Sequence, residues 1–202
     1  MRLLLAISIV AALISPLPAS ADVMTLEPTP RDLYDLDHNK YYTWGIQPGL
    51  GDPSLVVITC ATLKFAGIFN WDWHNNDLYV HLLDTAPAGV TVGTDYEGGG
   101  DYFESAAYAS LGIDHILLTH IEDLPWYPPQ NINVPFDAAA LLALNQYYQN
   151  GGDFGLGFDP DCHFYNCGVS LEMCYEVIPE PATLSVLALG GMCLVLRRRR
   201  RR

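Results

Sequence analysis

The residue types best suited to bind an ion stand together late in the chain, in the segment 159–163, which reads DPDCH. Two carboxylates one residue apart, held by Pro160, supply the oxygen ligands that hard cations such as Ca²⁺ prefer. Asp153 and backbone carbonyls could complete the coordination. The pattern makes Asp153, Asp159 and Asp161 candidate calcium ligands. The alternative is a turn in which the carboxylates accept backbone N–H groups.

A second acidic group, Asp95, Glu97 and Asp101, surrounds three consecutive glycines. It predicts either a looser cation site or a solvated loop, and Ca²⁺ is the only cofactor that the sequence suggests. The histidines form no zinc-binding signature, since His115 and His120 lie five residues apart and would face opposite sides of a strand. No HExxH motif, nucleophile elbow or phosphate-binding loop occurs. We therefore expect a protein that is not an enzyme.

Aromatic residues give a different kind of candidate site. Trp71 and Trp73 lie on either side of Asp72, and Trp126 is followed by Tyr127. Aromatic faces stack on sugar rings, so Trp71, Trp73 and Trp126 are candidate glycan-binding residues. Because side chains alternate along a strand, one of Trp71 and Trp73 is expected to lie in the core.

Four cysteines lie between the two ends of the chain, namely Cys60, Cys162, Cys167 and Cys174. In an oxidising compartment an even number indicates disulfides, and four cysteines allow three pairings. Cys162 with Cys167 would close a tight loop, and Cys60 with Cys174 would then join an early strand to a late one. The other pairings, and buried thiols, remain open.

The charge of the middle of the chain is strongly one-sided. Three basic residues, Arg31, Lys40 and Lys64, stand against 23 acidic ones between Asp22 and Glu180, which gives that segment a net charge of −20. Such a surface repels nucleic acid and attracts divalent cations. It excludes nucleic acid as a partner.

Short alternating segments with turns between them predict a mainly β protein. Val169, Leu171 and Met173 share one face of a late strand. A single short helix is expected after Asp137, running to about Gln149 and stopping at residues 150–152, which read NGG. Gly155 and Gly157 suggest that another backbone or helix crosses closely there. The pattern is typical of an antiparallel β-sandwich of jelly-roll kind. It resembles carbohydrate-binding-module and galactose-binding-like sandwiches.

The two ends read as export signals. Arg2 precedes an apolar run, and Ala19 and Ala21 form a small-x-small signal peptidase site, so residues 1–21 are predicted to be a signal peptide and 22–178 the exported domain. At the other end, residues 179–202 contain Pro179, Glu180 and Pro181, an apolar segment expected to form a transmembrane helix, and six arginines. Positive charge stays cytoplasmic, which predicts that the preceding chain is translocated.

This carboxyl-terminal order of motif, apolar helix and arginines resembles the PEP-CTERM sorting signal of exosortase substrates. Segments 35–42 and 157–166 also resemble uncharacterised PEP-CTERM proteins. The resemblance implies signal peptidase and an exosortase as processing partners, and transient anchoring in the inner membrane of a Gram-negative-type bacterium. The expected destination is the cell surface or extracellular matrix.

Three functions fit these observations. The first is a non-enzymatic surface or matrix protein associated with exopolysaccharide. The second is a structural module stabilised by calcium and disulfides without glycan specificity. The third is a secreted hydrolase, which would need two carboxyl groups facing each other across a cleft.

Overall fold

The computed structural model describes residues 21–71, 76–96, 100–178 and 190–191. Within these ranges the chain forms ten strands. They are β1 (Asp22–Leu26), β2 (Lys40–Ile46), β3 (Val56–Asn70), β4 (Asp77–Leu83), β5 (Gly89–Thr94), β6 (His115–Glu122), β7 (Gln130–Pro135), β8 (Phe154–Pro160), β9 (Phe164–Tyr165) and β10 (Gly168–Val177). The described ranges also contain the α-helices α1 (Ala106–Ala109) and α2 (Ala138–Gly151). Three 3₁₀ turns lie at Leu33–Asp35, Pro53–Leu55 and Tyr102–Glu104.

The strands form two antiparallel sheets. The first has the order β1-β10-β3-β7, with β9 also pairing with β3. The second has the order β5-β2-β8-β4-β6. All pairings between these strands are antiparallel. The predicted mainly β, antiparallel sandwich is confirmed.

The core lies between the two sheets. Phe65 of β3 and Phe158 of β8 meet edge to face across it, with their ring centroids 6.1 Å apart. Every residue of β8 is buried because β8 is central in its sheet and covered on both faces. Full burial of a side chain such as Phe158 stabilises the fold by roughly 1.5–3 kcal/mol.

Helix α2 forms where the sequence predicts it. The Asp137 side chain accepts the N–H of Ala140 at 2.8 Å, which satisfies one of the unpaired donors of the first turn. The helix ends at Gly152, which adopts φ 79° and donates to the carbonyl of Tyr148 at 2.7 Å. The Asn145 side chain pairs with the backbone of Ile58, with both hydrogen bonds at 2.8 Å. This contact fixes α2 against β3.

The glycines of β8 lie where the sequence indicates a close approach, but side chains rather than a second backbone or helix cross there. A Cβ at Gly157 would overlap the ring of Phe103, and one at Gly155 would lie 2.7 Å from the Cβ of Ala86. Phe103 belongs to the 3₁₀ turn Tyr102–Glu104. The absence of a Cβ at Gly157 therefore lets this turn pack on the outer face of the second sheet.

One of the two suggested disulfides is present. Cys60 and Cys174 are direct partners on β3 and β10, with Cα atoms 4.9 Å apart, and they form a disulfide. The prediction that Cys162 pairs with Cys167 is wrong, because no disulfide joins these two residues. The physical reason is strand β9, which lies between them and pairs with β3, so the connecting segment is extended rather than a tight loop.

Several of the predictions concern residues that lie outside the described ranges. They are the signal peptide with Ala19, the sorting motif Pro179, Glu180 and Pro181, and Trp73. Of the predicted carboxyl-terminal membrane helix, only Gly190 and Gly191 are described. Among the described residues, no helix has the length and apolar character needed to cross a membrane.

Candidate functional site

The outer face of the second sheet carries a close group of ionisable side chains. Asp159 points outward from β8, on the same face as Gly155 and Gly157, and its register partner on β4 is Tyr79. The segment Gly100–Glu104 covers this face, because its Phe103 packs over Gly157. A strand and the turn above it thus hold the site from two sides.

Three carboxyl groups meet under this turn, and we call Asp95, Asp159 and Asp161 the acidic pocket. One oxygen from each lies within 4.8 Å of the other two. Asp159 is fully buried and Asp95 nearly so. All three potential ligand atoms are carboxylate oxygens, which is the ligand type of a hard cation such as Ca²⁺.

Backbone donors from the covering turn orient two of these carboxyl groups. The N–H of Tyr102 donates to Oδ2 of Asp159 at 2.6 Å, and the N–H of Gly100 donates to Oδ2 of Asp161 at 3.0 Å. The other oxygen of Asp159, Oδ1, is buried and has no hydrogen-bond partner. A buried acceptor without a donor is costly, so this oxygen needs either a proton or a cation.

The pKa values of the pocket carboxyl groups also indicate that Asp159 requires a proton or a cation. Burial, with a smaller contribution from the nearby charges of Asp95, Asp161 and Asp101, raises the pKa of Asp159 to about 7 against the opposing hydrogen bond from Tyr102. Burial also raises the pKa of Asp161. The metal-free pocket therefore resists full ionisation.

Among the described residues, no Lys or Arg side chain offsets this charge. Arg31, Lys40 and Lys64 are the three basic residues between residue 22 and the terminal arginines. Each forms an ion pair with an acidic residue outside the pocket, at 2.8, 2.8 and 2.9 Å respectively. A mobile cation is the simplest remaining source of positive charge.

The structure changes the predicted ligand set. Asp153 lies at the opposite end of β8 from Asp159, about 20 Å away for six residues of extended chain, and accepts a hydrogen bond from Thr85 at 3.3 Å. Asp153 is therefore not a ligand together with Asp159 and Asp161, and that prediction is wrong. The third carboxyl group beside Asp159 and Asp161 is instead that of Asp95, which the sequence analysis assigned to a separate loop site. Glu97, from the same loop, lies outside the described residues.

A second group of potential metal ligands lies beside the pocket, and the sequence analysis did not predict it. His81 of β4, Glu104 of the 3₁₀ turn and His115 of β6 each place one potential ligand atom within 4.8 Å of the others, and we call them the histidine cluster. His81 is fully buried, and its Nε2 lies 2.7 Å from Oδ2 of Asp101. Their separations along the chain match no metal-binding signature, so only the pairing of β4 with β6 could have revealed them.

The aromatic candidates lie at a different place, beyond the end of β3. Trp71 follows β3 and is 60% exposed, and Trp126 is 62% exposed. The N–H of Asn70 donates to the carbonyl of Pro125 at 3.3 Å, which places the residues that follow, Trp71 and Trp126, at the same edge of the sandwich. Tyr127, 71% exposed, adjoins them. We call these three residues and Tyr165, which is partly exposed on β9, the aromatic edge.

Comparison with known proteins concerns the carboxyl-terminal segment above all. Residues 177–201 match the family model of the PEP-CTERM protein-sorting motif. A search of curated proteins found no significant match. Among solved structures, a recombinantly expressed latent aurone synthase (polyphenol oxidase) is similar, with a TM-score of 0.40 and 12% identity over 80% of this chain. The present chain spans 29% of that protein.

The matched segment contains the Pro-Glu-Pro motif, the apolar stretch and five of the six terminal arginines. These are the parts of a sorting signal that anchors an exported chain in the membrane and is processed by an exosortase. Residues 177–201 are therefore a PEP-CTERM sorting motif, the signal of an exported protein that an exosortase sorts.

Proposed function

We propose that this exported β-sandwich is a non-enzymatic protein of the cell surface or extracellular matrix that binds exopolysaccharide through the aromatic edge. The observation that carries the proposal is the exposure of Trp71 and Trp126 on neighbouring segments of one edge. Export brings this edge into contact with the polysaccharides outside the cell.

Exposed aromatic rings at one place on a soluble domain indicate a binding surface. A tryptophan buries 150–250 Å² when it is covered, and its flat face matches the C–H face of a sugar ring. Side chains grouped along one edge could stack on successive rings of an extended chain. A polysaccharide is thus a better match than a single small ligand.

Packing and hydrogen bonds to the rest of the sandwich hold the residues of the aromatic edge in place, which lowers the entropic cost of binding. Tyr165 stacks on Phe69 of β3 with ring centroids 5.2 Å apart, and Leu124, just before Pro125, is buried in the core. The N–H of Trp71 donates to the carbonyl of His163 at 3.0 Å. A surface that is already ordered loses little conformational freedom when its ligand binds.

The proposal predicts that Trp71→Ala and Trp126→Ala each weaken binding to the host polysaccharide by about tenfold, since each removes one stacking surface. The measurement is isothermal titration of the full chain, purified in detergent, with purified exopolysaccharide. Tyr96→Ala is the matched control, because Tyr96 is 90% exposed but lies outside the aromatic edge. Equal weakening by all three variants, or affinity unchanged in the tryptophan variants, would contradict the proposal.

The acidic pocket favours a second, compatible function, that of a module stabilised by Ca²⁺. Oδ1 of Asp159 is a buried acceptor without a donor, and it lies with two further carboxyl groups. Ca²⁺ sites of extracellular modules have dissociation constants of about 10⁻⁴–10⁻³ M, which suits an exported protein. Calcium would replace the proton that the buried carboxyl group otherwise needs.

Calcium is therefore expected to raise the melting temperature of the full chain. At a concentration 100 times the dissociation constant the gain is about 2.7 kcal/mol. Asp161→Asn should remove most of this gain, whereas Asp153→Asn, at the other end of β8, should keep it. Melting curves that are identical in Ca²⁺ and in chelator would contradict the calcium site.

A further inference from the structure

We propose that the histidine cluster, His81, Glu104 and His115, is a binding site for a divalent transition metal ion of the Zn²⁺ class. None of its three ligands belongs to the aromatic edge or to the acidic pocket, so its metal binding can be measured separately from the functions proposed for those two.

The spacing of the three side chains fits one metal ion. A ligand atom from each lies within 4.8 Å of the other two, and Nε2 of His115 is 3.5 Å from Oε1 of Glu104. In a tetrahedral zinc site with bonds of about 2.0–2.1 Å, neighbouring ligand atoms are about 3.4 Å apart. The Glu104 side chain is mostly exposed, so its carboxylate can move toward an ion held between the two imidazoles.

The hydrogen bond of His81 leaves its Nδ1 as the nitrogen that can bind a metal. Nε2 lies 2.7 Å from the Asp101 carboxylate, which accepts a hydrogen bond from the Nε2–H and so favours the tautomer with its proton on Nε2. Nδ1 then carries a lone pair, and it is buried without a hydrogen-bond partner in a side chain that is fully buried. A carboxylate that holds the far nitrogen of a histidine is the usual support of a metal ligand.

His115 is supported in the same way. Its Nδ1 lies 3.4 Å from the carbonyl of Ile113, which favours a proton on that nitrogen and leaves Nε2, the atom that faces Glu104, as the ligand. The side chain of His115 is partly exposed and that of Glu104 is mostly exposed. An ion can therefore enter from solvent, and a water molecule would complete the coordination.

The ligand types select the metal. Two imidazoles and one carboxylate suit Zn²⁺ and similar ions, whereas the all-oxygen acidic pocket suits Ca²⁺. Glu104 as a ligand and Asp101 as the orienting group contribute two negative charges, which match the charge of the ion. Asp101 acts here as a positioning residue, because it touches His81 and not the metal.

The test is titration of the full chain in detergent with ZnCl₂, in excess Ca²⁺ so that the acidic pocket does not compete. We expect one Zn²⁺ per chain in this site. Glu104→Gln and His115→Ala should weaken this binding by at least about 100-fold, and Asp101→Asn by about 10–100-fold. Glu104 is exposed, so its variant is expected to fold. Asparagine at 101 can still accept the N–H of Phe103, which Asp101 accepts at 3.0 Å.

The matched control is His120→Ala. His120 lies on the same strand as His115 and contacts two acidic residues, Asp77 at 2.7 Å and Glu122 at 3.1 Å, but it lies outside the histidine cluster. This variant should bind Zn²⁺ like the wild type. Co²⁺ should give the visible absorption of a tetrahedral complex in the wild type and the His120 variant, and not in Glu104→Gln. Absence of saturable Zn²⁺ binding, or its loss in His120→Ala with retention in Glu104→Gln and His115→Ala, would overturn the proposal.

Discussion

Replacing both Cys60 and Cys174 with serine is expected to lower the free energy of unfolding by about 4 kcal/mol. The disulfide joins residues 114 positions apart, so its removal restores a large amount of conformational freedom to the unfolded chain. It also joins β3 to β10, which are neighbours in the first sheet. A loss of this size is a large part of the stability of an ordinary domain.

Urea denaturation of the double variant and the wild type, both as full chains in detergent, measures this loss. Cys167→Ser is the control, since that thiol is exposed and forms no disulfide. The control should unfold at the wild-type urea concentration, and the double variant well below it. Equal midpoints for all three chains would show that the disulfide does not stabilise the domain.

Replacing Asp159 with asparagine is expected to stabilise the metal-free chain at neutral pH and to abolish its response to Ca²⁺. Burial raises the pKa of Asp159 from 3.8 to about 7. Between these values the folded chain holds a proton that the unfolded chain has released, so this contribution is complete below about pH 4 and lost as the pH rises through 7. Asparagine is neutral throughout, and the advantage of the variant should grow with pH to as much as about 4 kcal/mol.

Urea denaturation in chelator between pH 4 and 7.5 tests this expectation, because wild type and variant should be nearly equal at the acid end and diverge toward neutral pH. In Ca²⁺ at neutral pH the order should reverse, since only the wild type gains from the ion. Asp153→Asn, outside the pocket, should show neither effect. A variant that is less stable than the wild type in chelator at neutral pH would contradict the account of the pocket.

The sequence predicts the local structure well where one residue type has one physical role. The alternating side chains of β10 predict a strand, and the carboxylate of Asp137 predicts the start of helix α2. The backbone freedom of glycine predicts the end of that helix at Gly152. These are local properties, so they do not depend on the rest of the fold. The Cys60–Cys174 link was one of several open pairings, and only the neighbouring positions of β3 and β10 select it.

The candidate sites were harder to predict because their residues meet only through the sheets. Asp153 and Asp159 lie close in sequence, but the strand between them is extended and separates them. Asp95 is 64 residues before Asp159 in sequence and close to it in space. His81 and His115 lie close together because β4 pairs with β6. The distance between two residues along the sequence does not show which strands pair.

The aromatic edge is an intermediate case. Residue type alone made Trp71 and Trp126 candidates. The sequence also predicts that one of Trp71 and Trp73 is buried. Trp71 is exposed, and Trp73 lies outside the described residues, so this prediction stays open. The backbone hydrogen bond from Asn70 to Pro125 is what places the two exposed tryptophans together.

The central proposal, that the aromatic edge binds exopolysaccharide, is tested most directly by affinity electrophoresis in gels that contain the polysaccharide of the host. The samples are the wild-type chain and the Trp71→Ala, Trp126→Ala double variant, and gels without polysaccharide correct for size and charge. The account predicts that the polysaccharide retards the wild type. The double variant should migrate as it does in the gel without polysaccharide. Equal retardation of both chains, or retardation of neither, would contradict it.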